Sequence, residues 1–330
     1  MTFKGIEQLA DESHHLINLS IEVTEKCNLK CVHCYVADRS KKKKLQILQL
    51  DDIERTLRQA KDMNVLKITI TGGEPFCHPQ IRNILFLIKK YGFICYVLSN
   101  GTLINEENID VIKRCVHKVF LSNYGFSSYT YENAARTPGA YNFYCKAKQL
   151  LEANGVPYEE RIILLKENEI DIDAFVASEC RIETCICGEK NNGYAEVHRP
   201  STQAIRKAIK STDNAKEVIR HRFESVCNLG KTSVTIKANG DITPCNGLYL
   251  KLGNIENNLL EEVWNGELLL KLAKKTNFHN FKECIKCKYR NYSQYILPCN
   301  NYQENGDLNL PSKETCRHCK VYFEISKNKG

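Results

Sequence analysis

Features that would send this chain to a membrane or out of the cell are missing from the sequence. No apolar run reaches the ~18 residues that a membrane-spanning helix needs. The first stretch, MTFKGIEQLADESHH, has no apolar core of a signal peptide. No internal repeat is visible, and a lysine run is the one low-complexity stretch. We therefore expect a cytoplasmic protein with no membrane partner, in a compartment where thiols stay reduced.

The overall composition excludes little else. The 330 residues are 42% hydrophobic and 26% charged, which is typical of a globular protein of one large or two ordinary domains. Part of the net charge of +8 comes from the run RSKKKK at 39–44. This run predicts either a solvated loop or a patch for an acidic partner. Because no aromatic residues interrupt it, we do not expect nucleic acid as the partner.

Cysteine is abundant, with 17 residues. Since a reducing compartment disfavours disulfides, this number indicates metal binding or catalysis. The cysteines fall into groups at 27–34, at 180–187 and from 227 to 319. Four others are scattered, and we expect them to be small buried hydrophobic residues: Cys77, Cys95, Cys115 and Cys145.

Strand and helix patterns alternate six times within about 190 residues. The predicted strands lie at 16–24, 66–71, 93–101, 117–122, 158–166 and 180–187. This alternation predicts an α/β fold with a parallel sheet and right-handed crossovers. Six units are too few for a complete eight-stranded barrel, so we expect a partial (β/α)6 barrel of the TIM type. Asp51 or Asp52 is placed to cap the first of these helices, and Gly92 and Gly155 to end later ones.

The pattern changes after Gly193. Residues 201–225 read as a charged, helical linking segment, and TSVTIKANGDITPC as a hairpin with its turn at Asn239 and Gly240. The remaining chain is rich in loops and cysteine. We therefore predict a barrel at 1–200, the linking segment at 201–225 and a cysteine-rich domain at 226–330.

Polar motifs follow the first four predicted strands, where ligands gather in such folds. They are the loop CNLKCVHCY (27–35), GGEP (72–75), Asn100 and Ser122. Cys27, Cys31 and Cys34 lie within eight residues, without a fourth cysteine nearby. Three thiolates suit either a catalytic zinc with an open position or an iron–sulfur cluster with a vacant corner.

The C-x3-C-x2-C loop after the first strand resembles the radical S-adenosylmethionine (SAM) enzymes, and GGEP after the second strand is a second mark of that family. The resemblance implies a [4Fe-4S] cluster on Cys27, Cys31 and Cys34. Its vacant iron chelates SAM, whose reductive cleavage gives a 5′-deoxyadenosyl radical that abstracts hydrogen from a C–H bond.

The same resemblance implies which residues bind SAM. Gly72, Gly73, Glu74 and Pro75 form the segment that holds the amino group of SAM, and Glu74 can accept its hydrogen bond. We also expect the two glycines to allow close approach of the backbone to a ligand. The further expected contacts are His33 near the adenine, Ser122 by the methionyl and ribose groups, Asn100, and Arg136 for the carboxylate.

The tail resembles the SPASM extension of this family, which carries up to two auxiliary clusters. The resemblance rests on Cys227-x12-Gly240-x4-Cys245, GNIEN, EEVW and the later cysteines. The chain departs from the pattern at Ser293, where the family has cysteine, and it adds Cys319. By spacing, one site is predicted from Cys284, Cys287, Cys316 and Cys319. The other is predicted from Cys227, Cys245 and Cys299. Structural zinc on the first set remains an alternative.

Cys180, Cys185 and Cys187 lie outside both patterns. Cys185 and Cys187 share one face of the sixth strand. A thiol facing the barrel interior could give a hydrogen atom to a substrate radical, so these two are predicted catalytic donors, with plain burial as the alternative.

SPASM enzymes most often modify ribosomally made peptides, by crosslinking, epimerisation or oxidation. The stretch SNYGFSSYTYENAARTPGAYNF also resembles peptide maturases. We therefore expect a peptide substrate and an electron donor such as flavodoxin or ferredoxin. Only about 15 residues precede the first strand, so leader binding is expected at another surface or on a separate protein. Two alternatives stay open: a radical SAM dehydrogenase or epimerase of a small molecule such as a sugar or aminocyclitol, and a zinc-stabilised binding protein.

Overall fold

The computed structural model describes residues 9–34, 44–178, 180–184, 197–211, 226–291 and 297–327. Its strands are β1 (Asn18–Glu22), β2 (Lys67–Thr71), β3 (Ile94–Ser99), β4 (Lys118–Asn123), β5 (Tyr158–Ile163), β6 (Arg181–Glu183), β7 (Ser233–Ile236), β8 (Asp241–Thr243) and β9 (Gly253–Asn254). All six strands predicted for the barrel are present.

The helices in the first part of the chain are α1 (Leu50–Asp62), α2 (Ile81–Lys90), α3 (Ile109–Cys115), α4 (Ser128–Ala135), α5 (Ala140–Ala153), α6 (Ile172–Ala177) and α7 (Thr202–Ser211). Those of the tail are α8 (Leu260–Trp264), α9 (Glu267–Lys275), α10 (Lys282–Lys286), α11 (Pro298–Asn305) and α12 (Lys313–Lys327). In the described chain, no helix is both long and apolar enough to cross a bilayer.

One sheet of nine strands carries the fold, in the order β6-β5-β4-β3-β2-β1-β7-β8-β9. Every pair from β6 to β7 is parallel, and β7–β8 and β8–β9 are antiparallel. Parallel strands joined by helices confirm the predicted partial barrel. The hairpin strand β7 pairs with β1, so the cysteine-rich tail extends the barrel sheet directly. The boundaries proposed for the three domains stay a prediction.

Helix α1 shows why these segments fold as they do. Its buried residues Ile53, Thr56, Leu57 and Ala60 recur at intervals of three and four, which places them on one face towards the sheet. The predicted aspartate cap is wrong, because the N-cap is Gln49 and no side chain caps the helix. Asp52 instead lies 2.8 Å from Arg55, one turn along the same helix.

The core lies between the sheet and its helices. Leu19, Ile21, Ile68 and Ile70 of the central strands are at most 1% exposed. These strands, NLSIE and KITIT, alternate apolar and polar residues, and the polar Ser20 and Thr69 are buried too. Both faces of the parallel sheet are therefore covered. The rigid base that results holds the strand ends, where the polar motifs lie.

The predicted hairpin is confirmed. Strands β7 and β8 pair antiparallel, and Gly240 takes a left-handed conformation with φ +82° at the turn. Trp264, at the end of α8, stacks on His14 with ring centroids 4.5 Å apart. Its Nε1 donates a hydrogen bond to the His14 carbonyl at 3.0 Å. The tail is thus joined to the barrel at two places.

Candidate active site

One edge of the sheet carries the cysteine loop, GGEP and Asn100, which follow β1, β2 and β3, and Ser122, which lies near the end of β4. The four strands are neighbours and parallel, so their carboxyl ends lie side by side. This placement of the cysteine loop, GGEP, Asn100 and Ser122 matches the sequence prediction. No disulfide joins any two cysteines of the described chain.

The cysteine loop is held by the end of helix α4. The backbone N–H of Lys30 donates to the Ala135 carbonyl at 3.1 Å, and that of Val32 to the Ala134 carbonyl at 3.0 Å. The last carbonyls of a helix have no partner within it, so they are available to this loop. Helix α4 therefore fixes the backbone between Cys27 and Cys34.

The glycines of GGEP bring β2 against the backbone that leads into this loop. Gly73 N–H donates to the Thr24 carbonyl at 2.7 Å, and Glu74 N–H to the Lys26 carbonyl at 2.8 Å. A Cβ atom at Gly73 would lie 2.4 Å from the Lys26 carbonyl oxygen, which no side chain tolerates. The close approach seen here is thus made to the chain itself, where the sequence suggested a ligand.

Glu74 is fully buried, and its carboxylate organises the end of β3. Oε1 accepts hydrogen bonds from Phe76 N–H at 3.2 Å and from Ser99 Oγ at 2.8 Å, and Oε2 accepts one from Asn100 N–H at 2.8 Å. Burial raises the pKa of Glu74 to about 7, against these hydrogen bonds. Among the described residues, Oε2 accepts one hydrogen bond, which leaves a lone pair for a ligand.

Cys27 receives two hydrogen bonds at its sulfur. Leu29 N–H donates to Sγ at 3.4 Å and Asn100 Nδ2 at 3.8 Å. Donors aimed at sulfur stabilise a thiolate, the form that binds a metal. Cys31 and Cys34 share the same short loop and, like Cys27, are partly exposed. A set of three accessible thiols with donors already aimed at one sulfur fits the predicted iron–sulfur cluster.

His33 lies against an aromatic wall. Its ring centroid is 5.1 Å from that of Tyr124, and its buried Nδ1 has no hydrogen-bond partner among the described residues. Burial, assisted by the charge of nearby His198, lowers the pKa of His33 to about 4, so the ring is neutral at pH 7. Ser122 forms a hydrogen bond with Tyr124, whose own pKa is raised by burial and by Cys31. An unpartnered polar atom beside an aromatic ring suits the predicted adenine site.

Arg136 ends helix α4 in the left-handed conformation, with φ 52°. Residues other than glycine rarely adopt it. The residue is exposed, and it directly follows Ala135, whose carbonyl accepts a hydrogen bond from the cysteine loop. A role for Arg136 in binding a carboxylate stays a prediction.

Glu167 and His198 form a buried pair that sequence reasoning missed. His198 Nδ1 is hydrogen-bonded to Glu167 Oε1, while the buried Glu167 Oε2 has no partner within the part of the chain that the structure describes. Lys166 N–H donates to the His198 carbonyl at 3.0 Å, which joins the segment after β5 to the segment before α7. Glu167 also lines a cavity of about 450 Å³ with Tyr129, among others. The two residues are 31 positions apart with no motif around them, so no sequence signal marks them.

The seven tail cysteines fall into two spatial groups. The first group packs around Leu229, Leu248, Leu272 and Leu308, and consists of Cys227, Cys245 and Cys299. Burial, with the charges of the other thiols, raises the pKa of Cys245 to about 12. Burial also raises that of Cys227 to about 11. These are the three cysteines that spacing placed in one site.

The second group contains Cys284, Cys287, Cys316 and Cys319. Burial and then the neighbouring thiols of the group raise the pKa of Cys284 and of Cys319 to about 12. Cys316 and Cys319 lie one turn apart on α12, as the spacing required. In the described ranges, no three cysteine, histidine or carboxylate side chains are grouped as ligands of a single metal ion.

Several predicted residues cannot be placed. Cys185, Cys187 and Ser293 lie outside the described residues. Cys180, just before β6, is partly exposed.

A buried ion pair joins the tail to the barrel near the site. Lys237 Nζ lies 2.8 Å from Glu22 Oε1 at the end of β1 and donates to the Asn246 carbonyl at 3.0 Å. Both charged residues are less than 10% exposed. Burying two charges is tolerated when they are paired and further hydrogen-bonded, so this contact fixes β7 against β1.

Comparison with known proteins gives two family matches. Residues 21–178 match the model of the radical SAM superfamily. Residues 227–288 match that of the SPASM iron–sulfur cluster-binding domain. Together these ranges contain the cysteine loop, GGEP and the first tail cysteines.

Individual relatives align along most of the chain. The subtilosin biosynthesis protein AlbA of Bacillus subtilis is 27% identical over 84% of this chain, which spans 66% of AlbA. The PqqA peptide cyclase of Gluconobacter oxydans is 21% identical over 82% of each protein. The structure of Streptococcus suis SuiB with its precursor peptide SuiA superposes with a TM-score of 0.71 at 18% identity, covering 94% of this chain and 79% of SuiB.

Proposed function

Because this chain belongs to the radical SAM superfamily and carries a SPASM domain, we propose that it modifies a ribosomally made peptide by radical chemistry. It is an iron–sulfur enzyme that uses SAM, a [4Fe-4S] cluster and auxiliary iron–sulfur clusters.

The observation that carries the proposal is the similarity to AlbA, which extends over 84% of the chain and so includes both the barrel and the tail. AlbA is a bacteriocin biosynthesis protein, and the PqqA cyclase acts on a peptide, as their names state. The chain spans about two thirds of the length of AlbA.

We assign the barrel cluster to Cys27, Cys31 and Cys34, on the loop that α4 fixes. When bound there, cluster and SAM supply a 5′-deoxyadenosyl radical, the group that removes hydrogen from an unreactive C–H bond. Membership of an iron–sulfur enzyme family argues against the alternative of a zinc-stabilised binding protein. The donors to Cys27 Sγ support the assignment.

We assign SAM to the groups that surround this loop. The Glu74 carboxylate, through the free lone pair of Oε2, accepts from the ammonium group, and His33 with Tyr124 forms a surface for the adenine. Ser122 and Arg136 complete the set proposed from the sequence. Asn100 contributes to SAM binding indirectly, because its backbone N–H donates to Glu74 Oε2 and holds that oxygen in place.

The peptide is proposed to enter beside β5. The cavity of about 450 Å³ there is lined by Tyr129, Ile170 and Ile172, together with the Glu167 carboxylate. Tyr129 and Ile170 are 70% and 77% exposed, which is unusual for large apolar side chains and suits contact with a partner. Lys166, Glu169 and Lys207 line the cavity as well, so charged groups are also available to a peptide.

The two tail groups are proposed to bind auxiliary clusters, with Cys227, Cys245 and Cys299 at one and Cys284, Cys287, Cys316 and Cys319 at the other. A metal binds the deprotonated thiolate, and burial raises the pKa of four of these thiols: Cys227, Cys245, Cys284 and Cys319. Metal binding and folding are therefore proposed to be coupled in this region. Electrons are proposed to come from flavodoxin or ferredoxin. Leader recognition is proposed to reside on another surface or on a separate protein.

The test is anaerobic incubation with SAM, a reductant and the peptide encoded beside this gene. The proposal expects the peptide to lose the mass of two hydrogen atoms after crosslinking or oxidation. After epimerisation, we expect an unchanged peptide mass in ordinary water and the gain of one deuterium in heavy water. If the peptide stays unmodified and an aminocyclitol or a sugar is turned over instead, the substrate is a small molecule and the peptide proposal is wrong.

A further inference from the structure

Three polar side chains form a closed ring of hydrogen bonds beside Cys27. Asn100 Nδ2 donates to Asn28 Oδ1 at 3.1 Å, and Asn28 Nδ2 donates to Thr102 Oγ1 at 2.7 Å. Thr102 Oγ1 in turn donates to Asn100 Oδ1 at 2.7 Å. All three bonds run in the same sense around the ring, so each strengthens the next by polarisation.

The ring determines how the Asn100 amide is oriented. Its Oδ1 accepts from both Thr102 N–H, at 2.9 Å, and Thr102 Oγ1. The oxygen is thereby fixed on the Thr102 side, and the NH2 group must face Asn28 and Cys27. One amide hydrogen goes to Asn28 Oδ1, and the other is left for Cys27 Sγ at 3.8 Å.

These bonds use the whole hydrogen-bonding capacity of the amide. A primary amide has two N–H donors and two acceptor lone pairs, and all four are occupied here. The Asn100 side chain has no donor or acceptor left for a bound ligand.

The position of Asn100 is also fixed by its backbone. Its N–H donates to Glu74 Oε2 at 2.8 Å, and its carbonyl accepts from Tyr131 Oη at 3.4 Å. Asn100 and Thr102 are 6% and 7% exposed, whereas Asn28 lies at the surface. A donor held this firmly in a buried setting interacts strongly with a thiolate.

We propose that the Asn28–Thr102–Asn100 ring is a positioning device that aims an N–H at the Cys27 sulfur and thereby raises the reduction potential of the cluster bound there. This inference rests on the proposed function, since it takes Cys27 as a cluster ligand. Hydrogen bonds to the sulfurs are among the factors that set the potential of iron–sulfur clusters. They stabilise the additional negative charge of the reduced form, so each donor makes reduction easier.

The experiment is a potentiometric titration of the purified, cluster-loaded enzyme, followed by electron paramagnetic resonance. The signal of interest is the component absent from the Cys27→Ala, Cys31→Ala, Cys34→Ala triple variant, which separates it from the tail clusters. Asn100→Ala removes the donor without adding charge. Thr102→Val removes the hydroxyl of the ring at nearly constant shape, and Thr102→Ser is the matched control that keeps it.

We expect the midpoint potential to become more negative in Asn100→Ala, to shift less in the same direction in Thr102→Val, and to stay at the wild-type value in Thr102→Ser. Wild-type potentials in Asn100→Ala and Thr102→Val, with wild-type iron content, would overturn the inference. The inference would also be overturned if the midpoint potential shifted equally in Thr102→Ser and Thr102→Val, or if Thr102→Val lost the cluster. If Asn100→Ala does not retain iron, the difference in midpoint potential between Thr102→Val and Thr102→Ser tests the inference. A wild-type protein without the Cys27-dependent signal would instead refute the proposed function.

Discussion

Glu74 offers a sharp test, because its carboxylate is fully buried and carries three hydrogen bonds. The perturbation is Glu74→Gln, which keeps the shape of the side chain and removes its charge. At a buried site, the charged and neutral forms differ greatly in free energy, and pH selects between them.

The magnitude follows from the pKa. Burial raises the pKa of Glu74 from its usual 4.5 to about 7, so between these values the folded state binds the proton that the unfolded state has lost. The contribution of Glu74 to stability is therefore fully present below pH 4.5 and is lost as the pH rises to about 7. A shift of this size corresponds to ~3 kcal/mol.

The assay is urea unfolding of wild-type protein and Glu74→Gln between pH 5 and pH 8. We expect the wild type to lose ~3 kcal/mol of unfolding free energy relative to the variant across this range, since glutamine does not titrate. Parallel pH profiles of the two proteins would refute the reasoning.

The same variant tests the SAM contact. Loss of one charge-assisted hydrogen bond of ~1.5–3 kcal/mol should weaken SAM binding roughly tenfold to a hundredfold at pH 8. In the wild type, affinity should decline below pH 7 as Glu74 takes up a proton, and in Glu74→Gln it should not. Equal SAM affinity of both proteins at pH 8 would restrict Glu74 to a structural role.

Three further substitutions test the surroundings of the site. Gly73→Ala should prevent stable folding of the cysteine loop, because a Cβ would lie 2.4 Å from a backbone oxygen; wild-type iron content and urea midpoint would contradict this. Lys237→Met should lower the unfolding free energy by ~3–5 kcal/mol because the buried Glu22 carboxylate loses this cation, and an unchanged urea midpoint would count against it. Cys319→Ala should lower the iron content of the tail while Ser293→Ala leaves it unchanged, and the opposite pair of results would exclude the proposed ligand set.

Local patterns were sufficient for most of the barrel. Alternating apolar residues predict strands and intervals of three and four predict helices, and both depend only on neighbours in sequence. The carboxyl-edge position of the cysteine loop and GGEP followed from strand direction alone. The predicted aspartate cap of α1 was the exception. Asp52 pairs with Arg55, and the N-cap residue Gln49 makes no side-chain hydrogen bond to the helix end.

Long-range contacts were beyond reach. The cysteine loop is held by Ala134 and Ala135, about a hundred residues away in a helix whose hydrophobic face gives no sign of this role. Strand β7 could equally have formed a separate hairpin, and its pairing with β1 depends on tertiary packing. The contact between Glu167 and His198 also depends on tertiary packing, because it requires the segment after β5 to lie against the segment before α7.

Formation of 5′-deoxyadenosine from SAM under anaerobic, reducing conditions tests the central claim most directly. It should be measured for the wild type and for the triple variant with alanine at Cys27, Cys31 and Cys34. The account predicts 5′-deoxyadenosine from the wild type and none from the triple variant, whose tail still contains iron. Equal production by the two proteins would contradict the assignment of the radical SAM cluster to this loop.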